Sequence, residues 1–191
     1  DSFPVEADTL VLAGDILSLD PHKRPTPYKI FERFLERWKN VIYVPGNHEY
    51  YNLSVGDGER MLDHLADTFS SLHILRGDTT EIDGVKFVGG TMWFPVNKAA
   101  RKYQHFMTDF NIIFDFVPWV YDTHEDHIEK IRRHAKGAVV VTHHLPHPKS
   151  VHEAYAKSPL NPFFMSPDAV PLAEGAGAKL WIHGHTHNHC D

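Results

Sequence analysis

The segment His183-Gly184-His185-Thr186-His187-Asn188-His189 places four imidazoles within seven residues. Borderline divalent metals favour neutral imidazole nitrogen, with carboxylate and amide oxygens completing the shell. The residues just before it, Ala178-Lys179-Leu180-Trp181-Ile182, are brief, apolar and preceded by glycines, which predicts a buried strand. Gly184 has no Cβ, so the backbone can turn sharply beside an ion. A surface cluster or the remnant of an affinity tag is the alternative. A tag is a continuous run outside the fold, whereas these histidines alternate behind a strand, and metal ligation is the chemistry they predict.

Three other apolar runs end in residues of the same kind. Residues 9–13 lead into Gly14-Asp15, residues 41–44 into Pro45-Gly46-Asn47-His48-Glu49, and residues 138–141 into Thr142-His143-His144. Singly, each is a common turn: Asp favours strand ends for local reasons, and His144 could equally be a core-edge imidazole bonded to backbone. Four strand ends with the same chemistry predict a preorganised metal site on rigid elements. In open α/β sheets the carboxyl edge of the strands is where ligands bind.

The elements between these ends are α/β in pattern. Ile30, Phe31, Phe34, Leu35 and Trp38 form one apolar stripe at helical spacing, with Glu32, Arg33, Glu36 and Arg37 facing water. This helix lies between two apolar strands, which predicts a right-handed parallel βαβ unit. A second helix is expected from Gly58, carrying Met61, Leu62, Leu65 and Phe69 inward, then a strand over 72–75. Asp83-Gly84 between residues 79–82 and 85–88 is a type I′ hairpin signal, so a mixed or two-sheet architecture is expected. Residues 92–120 are aromatic-rich without one clear period; such rings cover a core edge or wall a substrate pocket. Thr123 is expected to cap a helix with Ile128, Ile131 and Ala135 inward and Lys130, Arg132 and Arg133 solvated. A Pro-rich loop over 145–162 and a short helix near 168–174 lead to the final strand.

Composition bounds the function. A chain of 191 residues suits one domain with a sizeable core. The formal charge of −6 and pI near 6.2 disfavour a broad nucleic-acid surface, though a local basic patch is compatible with them. No apolar stretch is long enough to span a bilayer and no signal peptide is visible, so no membrane partner is expected. Cys190 is the single cysteine, which excludes an intrachain disulfide and makes a reducing cytoplasm the expected compartment. It is a soft ligand beside the His cluster or an incidental thiol.

The order of these blocks resembles the calcineurin-like metallophosphoesterase superfamily. That family's blocks run Asp-x-His, Gly-Asp, Gly-Asn-His-Asp/Glu, a His after a later strand, and Gly-His-x-His. Four of the five stand here: Gly14-Asp15, Gly46-Asn47-His48-Glu49, Thr142-His143-His144 and Gly184-His185-Thr186-His187. The resemblance implies two facing mixed β-sheets flanked by helices, with metals at the strands' carboxyl ends, in a single domain over residues 1–191. It implies a hydrolase of phosphate mono- or diesters using two divalent ions (Mn, Fe, Zn or Ni) and a metal-bridging hydroxide as nucleophile. Asp15 would bridge the ions; Asn47, His143 and His185 would complete one site, and His187 would serve the other. His143 rather than His144 is assigned by motif position. His48 would protonate the leaving alkoxide or stabilise phosphoryl charge, and Glu49 would orient His48 from behind.

The Asp-x-His block and the family's closing strands are absent, and no initiator methionine precedes Asp1. These features predict a segment cut from a longer chain at both ends, with one metal site incomplete. The expected partner is a small phosphoester or a phosphorylated substrate. A nuclease of the same superfamily is disfavoured by charge. A non-catalytic interaction scaffold is disfavoured by the retention of His48 and the ligand set, which a scaffold does not need, and metal storage is a weaker alternative.

Overall fold

In the computed structural model residues 4–186 are described. The first unit is the expected βαβ: β1 (Thr9–Leu12), α1 (Pro27–Leu35) and β2 (Asn40–Tyr43), the strands parallel with Leu12 opposite Tyr43. α2 (Val55–Thr68) returns the chain to β3 (Leu72–Ile74), parallel to β2. A second sheet starts with the hairpin β4 (Thr79–Ile82) and β5 (Val85–Gly90). Asp83 and Gly84 both have positive φ, as a type I′ turn requires. The short α3 (Thr108–Ile112) and long α4 (Phe116–His134) cross to β6 (Val139–Thr142), and α5 (Val170–Gly175) precedes β7 (Leu180–His183).

The sheets have orders β1-β2-β3 and β4-β5-β6-β7. Two sheets flanked by helices were expected and are found. The first is parallel throughout among the described residues; mixed pairing belongs to the second, where β4 is antiparallel and β5, β6 and β7 are parallel.

Strand alternation explains how the layers stack. Val41 and Tyr43 of β2 pack with Phe31 and Leu62 on the helix side, while Ile42 and the following Val44 pack with Phe87 and Val141 of the second sheet. In the same way Val140 faces Ile128 and Ile131 of α4 and Leu172 of α5. The order is therefore helices, sheet, sheet, helices. Consecutive strands whose side chains are buried on both faces read as unbroken apolar runs.

Three expectations need correction. α2 starts at Val55, three residues before Gly58, because Ser54 caps it by accepting the Asp57 N–H at 3.1 Å. α4 starts at Phe116 rather than after Thr123; Val117 departs from helical geometry, and Pro118 begins the regular helix, a position a proline tolerates. β7 is the outermost strand of its sheet among the described residues, and with Leu180 half exposed it is not a buried strand. The aromatics of residues 92–120 resolve into a cluster in which Trp93, Phe94, Phe110 and Phe116 pack edge to face, for example Trp93 on Phe116 at 5.2 Å and Phe110 on Phe116 at 5.2 Å.

Candidate metal centre

The registers Leu12–Tyr43 and Thr142–His183 align the carboxyl ends of the strands at one edge, and the polar turns leave from there. Two glycines let these turns close. Gly14 has φ of +86°, and a Cβ there would run into the His143 ring; a Cβ on Gly184 would strike the Ala13 carbonyl. Gly184 thus serves close approach rather than a sharp turn. Asp15 (φ 58°) and His185 (φ 64°) themselves adopt the left-handed conformation, a strained state that persists where surrounding structure enforces it.

The groups meet at the Nε2 atom of His143. Its Nδ1 lies 2.8 Å from the Ala13 carbonyl, which assigns the N–H to Nδ1 and leaves Nε2 with a lone pair. Around Nε2 stand Asn47 Oδ1 at 3.1 Å, Asp15 Oδ2 at 3.4 Å and His185 Nδ1 at 2.9 Å. Asp15, His143 and His185 each offer a ligand atom, all within 4.8 Å of one another. Ligands about 2.1 Å from a common ion stand roughly 3.0–3.4 Å apart in tetrahedral or octahedral arrangements. An amide oxygen and a carboxylate oxygen facing an imidazole lone pair repel one another unless a positive charge sits between them. The donor set and its spacing therefore fit a divalent ion.

The electrostatics agree. Burial raises the pKa of Asp15, but the hydrogen bond and charge of His143, helped by the His48 N–H on Oδ1 at 3.1 Å, hold it down at about 2. Burial disfavours a charged His143, yet the Asp15 carboxylate outweighs it and the pKa rises. His144 lies outside the convergence. It hydrogen-bonds the Thr91 carbonyl through Nδ1 at 3.1 Å, stacks on His185 at 4.4 Å, and has its pKa lowered by burial, then by His185 and His143.

Three other residues take roles the sequence reading did not give them. Glu49, fully buried, accepts N–H groups from Asp15, Ile16, Leu17 and Gly46 at 2.7–3.4 Å. Its carboxylate is consumed in fastening the Asp15 turn to the Asn47 turn, so the expected orientation of His48 is replaced by this tie. Desolvation, then repulsion from Asp15, raises its pKa despite those donors. The His48 ring is exposed and stacks on Tyr51 at 4.4 Å. Tyr51 and Asp109 were missed. Asn47 Nδ2 donates to Asp109 Oδ1 at 2.9 Å and to Tyr51 Oη at 3.0 Å, and Tyr51 donates to Asp109 at 2.8 Å. Since a carboxylate only accepts, Asp109 turns the amide so that Oδ1 faces His143. Tyr51 was findable one helical turn after Asn47; Asp109, 62 residues away, carries no local signal.

The family model of the calcineurin-like phosphoesterases matches residues 2–189. The chain belongs to that family. Uncharacterized protein L509 of Acanthamoeba polyphaga mimivirus is 23% identical over 185 residues, covering 83% of this chain; the chain spans 65% of that protein's length. The crystal structure of phosphopantetheinyl hydrolase (PptH) from Mycobacterium tuberculosis superposes with a TM-score of 0.69 at 14% identity, over 94% of this chain and 72% of the other. The latter likeness is one of fold. His187, the expected ligand of the other metal, lies outside the described residues, as do His189 and Cys190. Among the described residues no helix is long and apolar enough to cross a membrane.

Proposed function

We propose that this calcineurin-like phosphoesterase is a metal-dependent hydrolase of phosphate mono- or diesters. The observation that carries the reading is the convergence of Asn47, Asp15 and His185 on His143 Nε2. These four residues would hold one divalent ion, and by the family pattern Asp15 and His187 would serve a second. Ions held there would supply charge for the phosphoryl oxygens and a nucleophile from water near neutral pH.

The remaining steps belong to side chains. Asp15 stays anionic at neutral pH because His143 and His48 hold its pKa at about 2. The His48 ring borders the same cavity as Asp15, Asn47 and His185. From there it donates a proton to the departing oxygen or stabilises charge on the phosphoryl group. Stacking on Tyr51 restricts that ring to a small set of orientations, which favours a productive approach.

The test is hydrolysis of p-nitrophenyl phosphate and bis(p-nitrophenyl) phosphate by dialysed protein supplied with Mn, Fe, Zn or Ni. Metal-dependent turnover of either ester, abolished by chelation and restored by the metal, is expected. A folded protein inactive on both esters with all four metals would overturn the reading.

A further inference from the structure

The cavity above the metal centre is about 560 Å³, a size typical of sites for whole organic ligands rather than bare anions. Its floor is the polar set Asp15, Asn47, His48 and His185. Much of the remaining lining is apolar: Phe106 and Met107, and Val151, Tyr155, Leu160 and Phe164 from the 145–165 loop. Phe106 and Tyr155 are 65% and 62% exposed, so two of the largest apolar groups left in water stand at this cavity.

The loop's polar residues do not offset this. His152 Nδ1 accepts the Ala154 N–H, Ser158 Oγ accepts the Leu160 N–H, and Asn161 Nδ2 donates to the Tyr155 carbonyl, at 2.9–3.2 Å. They shape the loop's own backbone. The loop is anchored to the body where Leu145 N donates to Phe164 O at 3.0 Å. Among the described residues no lysine or arginine lines the cavity, although Lys149 and Lys157 sit on the same loop.

Resting on the phosphoester reading, we infer that the substrate carries a single phosphoester group joined to an apolar, ring-bearing organic moiety, which lies against Phe106 and Tyr155. The charge balance selects it. One phosphoryl group is satisfied at the floor, whereas each further phosphate or carboxylate would leave water for walls where no described lysine or arginine receives it. An aromatic or branched group there replaces water against exposed rings and gains by area and ring stacking. Nucleoside polyphosphates and nucleic-acid strands are disfavoured by the same balance, since strand binding relies on cationic contacts to successive phosphates.

The Mn-loaded protein is titrated calorimetrically with phenylphosphonate, methylphosphonate and 4-phosphonobenzoate, which share the phosphoryl head and differ in the far group. Phenylphosphonate is expected to bind roughly tenfold tighter than methylphosphonate and tighter than 4-phosphonobenzoate. Phe106→Ser and Tyr155→Ser should each narrow the phenyl-to-methyl gap, and an unchanged melting temperature shows that the variants are folded. Equal phenyl and methyl affinities, or tightest binding of 4-phosphonobenzoate, would overturn the inference and leave the phosphoester reading standing. Failure of all three phosphonates to bind would overturn both.

Discussion

Two groups of histidines in this protein place the same side chain in opposite settings. His143 and His185 stand at the strand ends; His124 and His127 lie on α4. His124 Nδ1 donates to the Met92 carbonyl at 2.7 Å, and His127 Nδ1 accepts the Met92 N–H at 3.1 Å. They clamp the backbone at Met92 (φ 70°) and Trp93 (φ 43°), where β5 ends in a left-handed turn. That turn presents the Thr91 carbonyl to both the N–H and Nδ1 of His144. His127 is consumed by backbone, and burial lowers its pKa to about 4. His143 keeps one nitrogen facing oxygens, and its pKa is raised. What stands at the second nitrogen decides whether a buried imidazole is structural or chemical. Depth alone does not, since both are nearly inaccessible.

The strongest way to break this contrast is to remove one ring from each group. His143→Ala should lower Mn-dependent phosphoester turnover roughly 10³-fold or more, because it takes away a ligand and exposes Asp15 and Asn47 to each other. Metal content after dialysis should fall with it. His127→Asn keeps an acceptor near the Met92 N–H and should retain metal, whatever it costs in stability. If the first variant kept its metal and the second lost it, the assignment of the two groups would be reversed.

His48 tests a different contrast, between holding a metal and acting beside it. In the metal-loaded protein His48→Ala should lower turnover of an alkyl phosphodiester by roughly 10²-fold, with metal content nearly intact. An activated nitrophenyl ester needs less help at its leaving group and should show a smaller loss. Equal turnover of wild type and variant on the alkyl ester would remove His48 from the chemistry.

The convergence of the strand-end turns was legible because each part is local. Gly14-Asp15, Asn47-His48 and His143 each follow an apolar run, and ordered turns after strands report chemistry within a few residues. The layer order was legible for a related reason: runs such as 41–44 are apolar at every position because both faces are covered. What failed was long-range. Asp109 reads as an ordinary polar residue in an aromatic stretch until α3 brings it to Asn47. Glu49 reads as a partner for His48 because the two are adjacent, yet its carboxylate points into the Asp15 turn. The role of His127 depends on a helix that begins before its expected cap, at Phe116.

Acid titration of the metal-free protein sharpens the comparison next. His127 is neutral in the fold with a pKa of about 4, against 6.5 for an ordinary histidine. The unfolded chain therefore binds the extra proton, and the stability His127 contributes is present above pH 6.5 and lost as pH falls toward 4. Between pH 7 and pH 5 this amounts to about 2 kcal/mol. Burial of His144 acts in the same direction and the raised pKa of His143 in the opposite one. Denaturant unfolding at several pH values should thus show a shallower acid loss for His127→Asn than for wild type, by about that amount. Parallel curves would mean that His127 does not titrate as a buried neutral ring.

The finest test concerns how an amide is told which way to face. Asn47 can ligate only through Oδ1, and nothing in an isolated amide separates oxygen from nitrogen. Asp109 makes the distinction by accepting from Nδ2 at 2.9 Å while buried to 1% exposure. Burial raises its pKa, and the hydrogen bonds from Asn47 and Tyr51 oppose that rise. Asp109→Asn has the same shape but can donate as well as accept, so Asn47 is free to turn its nitrogen toward His143. Metal affinity measured by calorimetry should fall roughly tenfold, the lower end for residues that orient a ligand from behind. Tyr51→Phe, which leaves the Asp109–Asn47 bond in place, should cost less. A purely structural role for Asp109 would lower the melting temperature in Asp109→Asn while leaving metal affinity where it was. A loss of affinity at an unchanged melting temperature is the outcome that assigns the carboxylate to orienting Asn47.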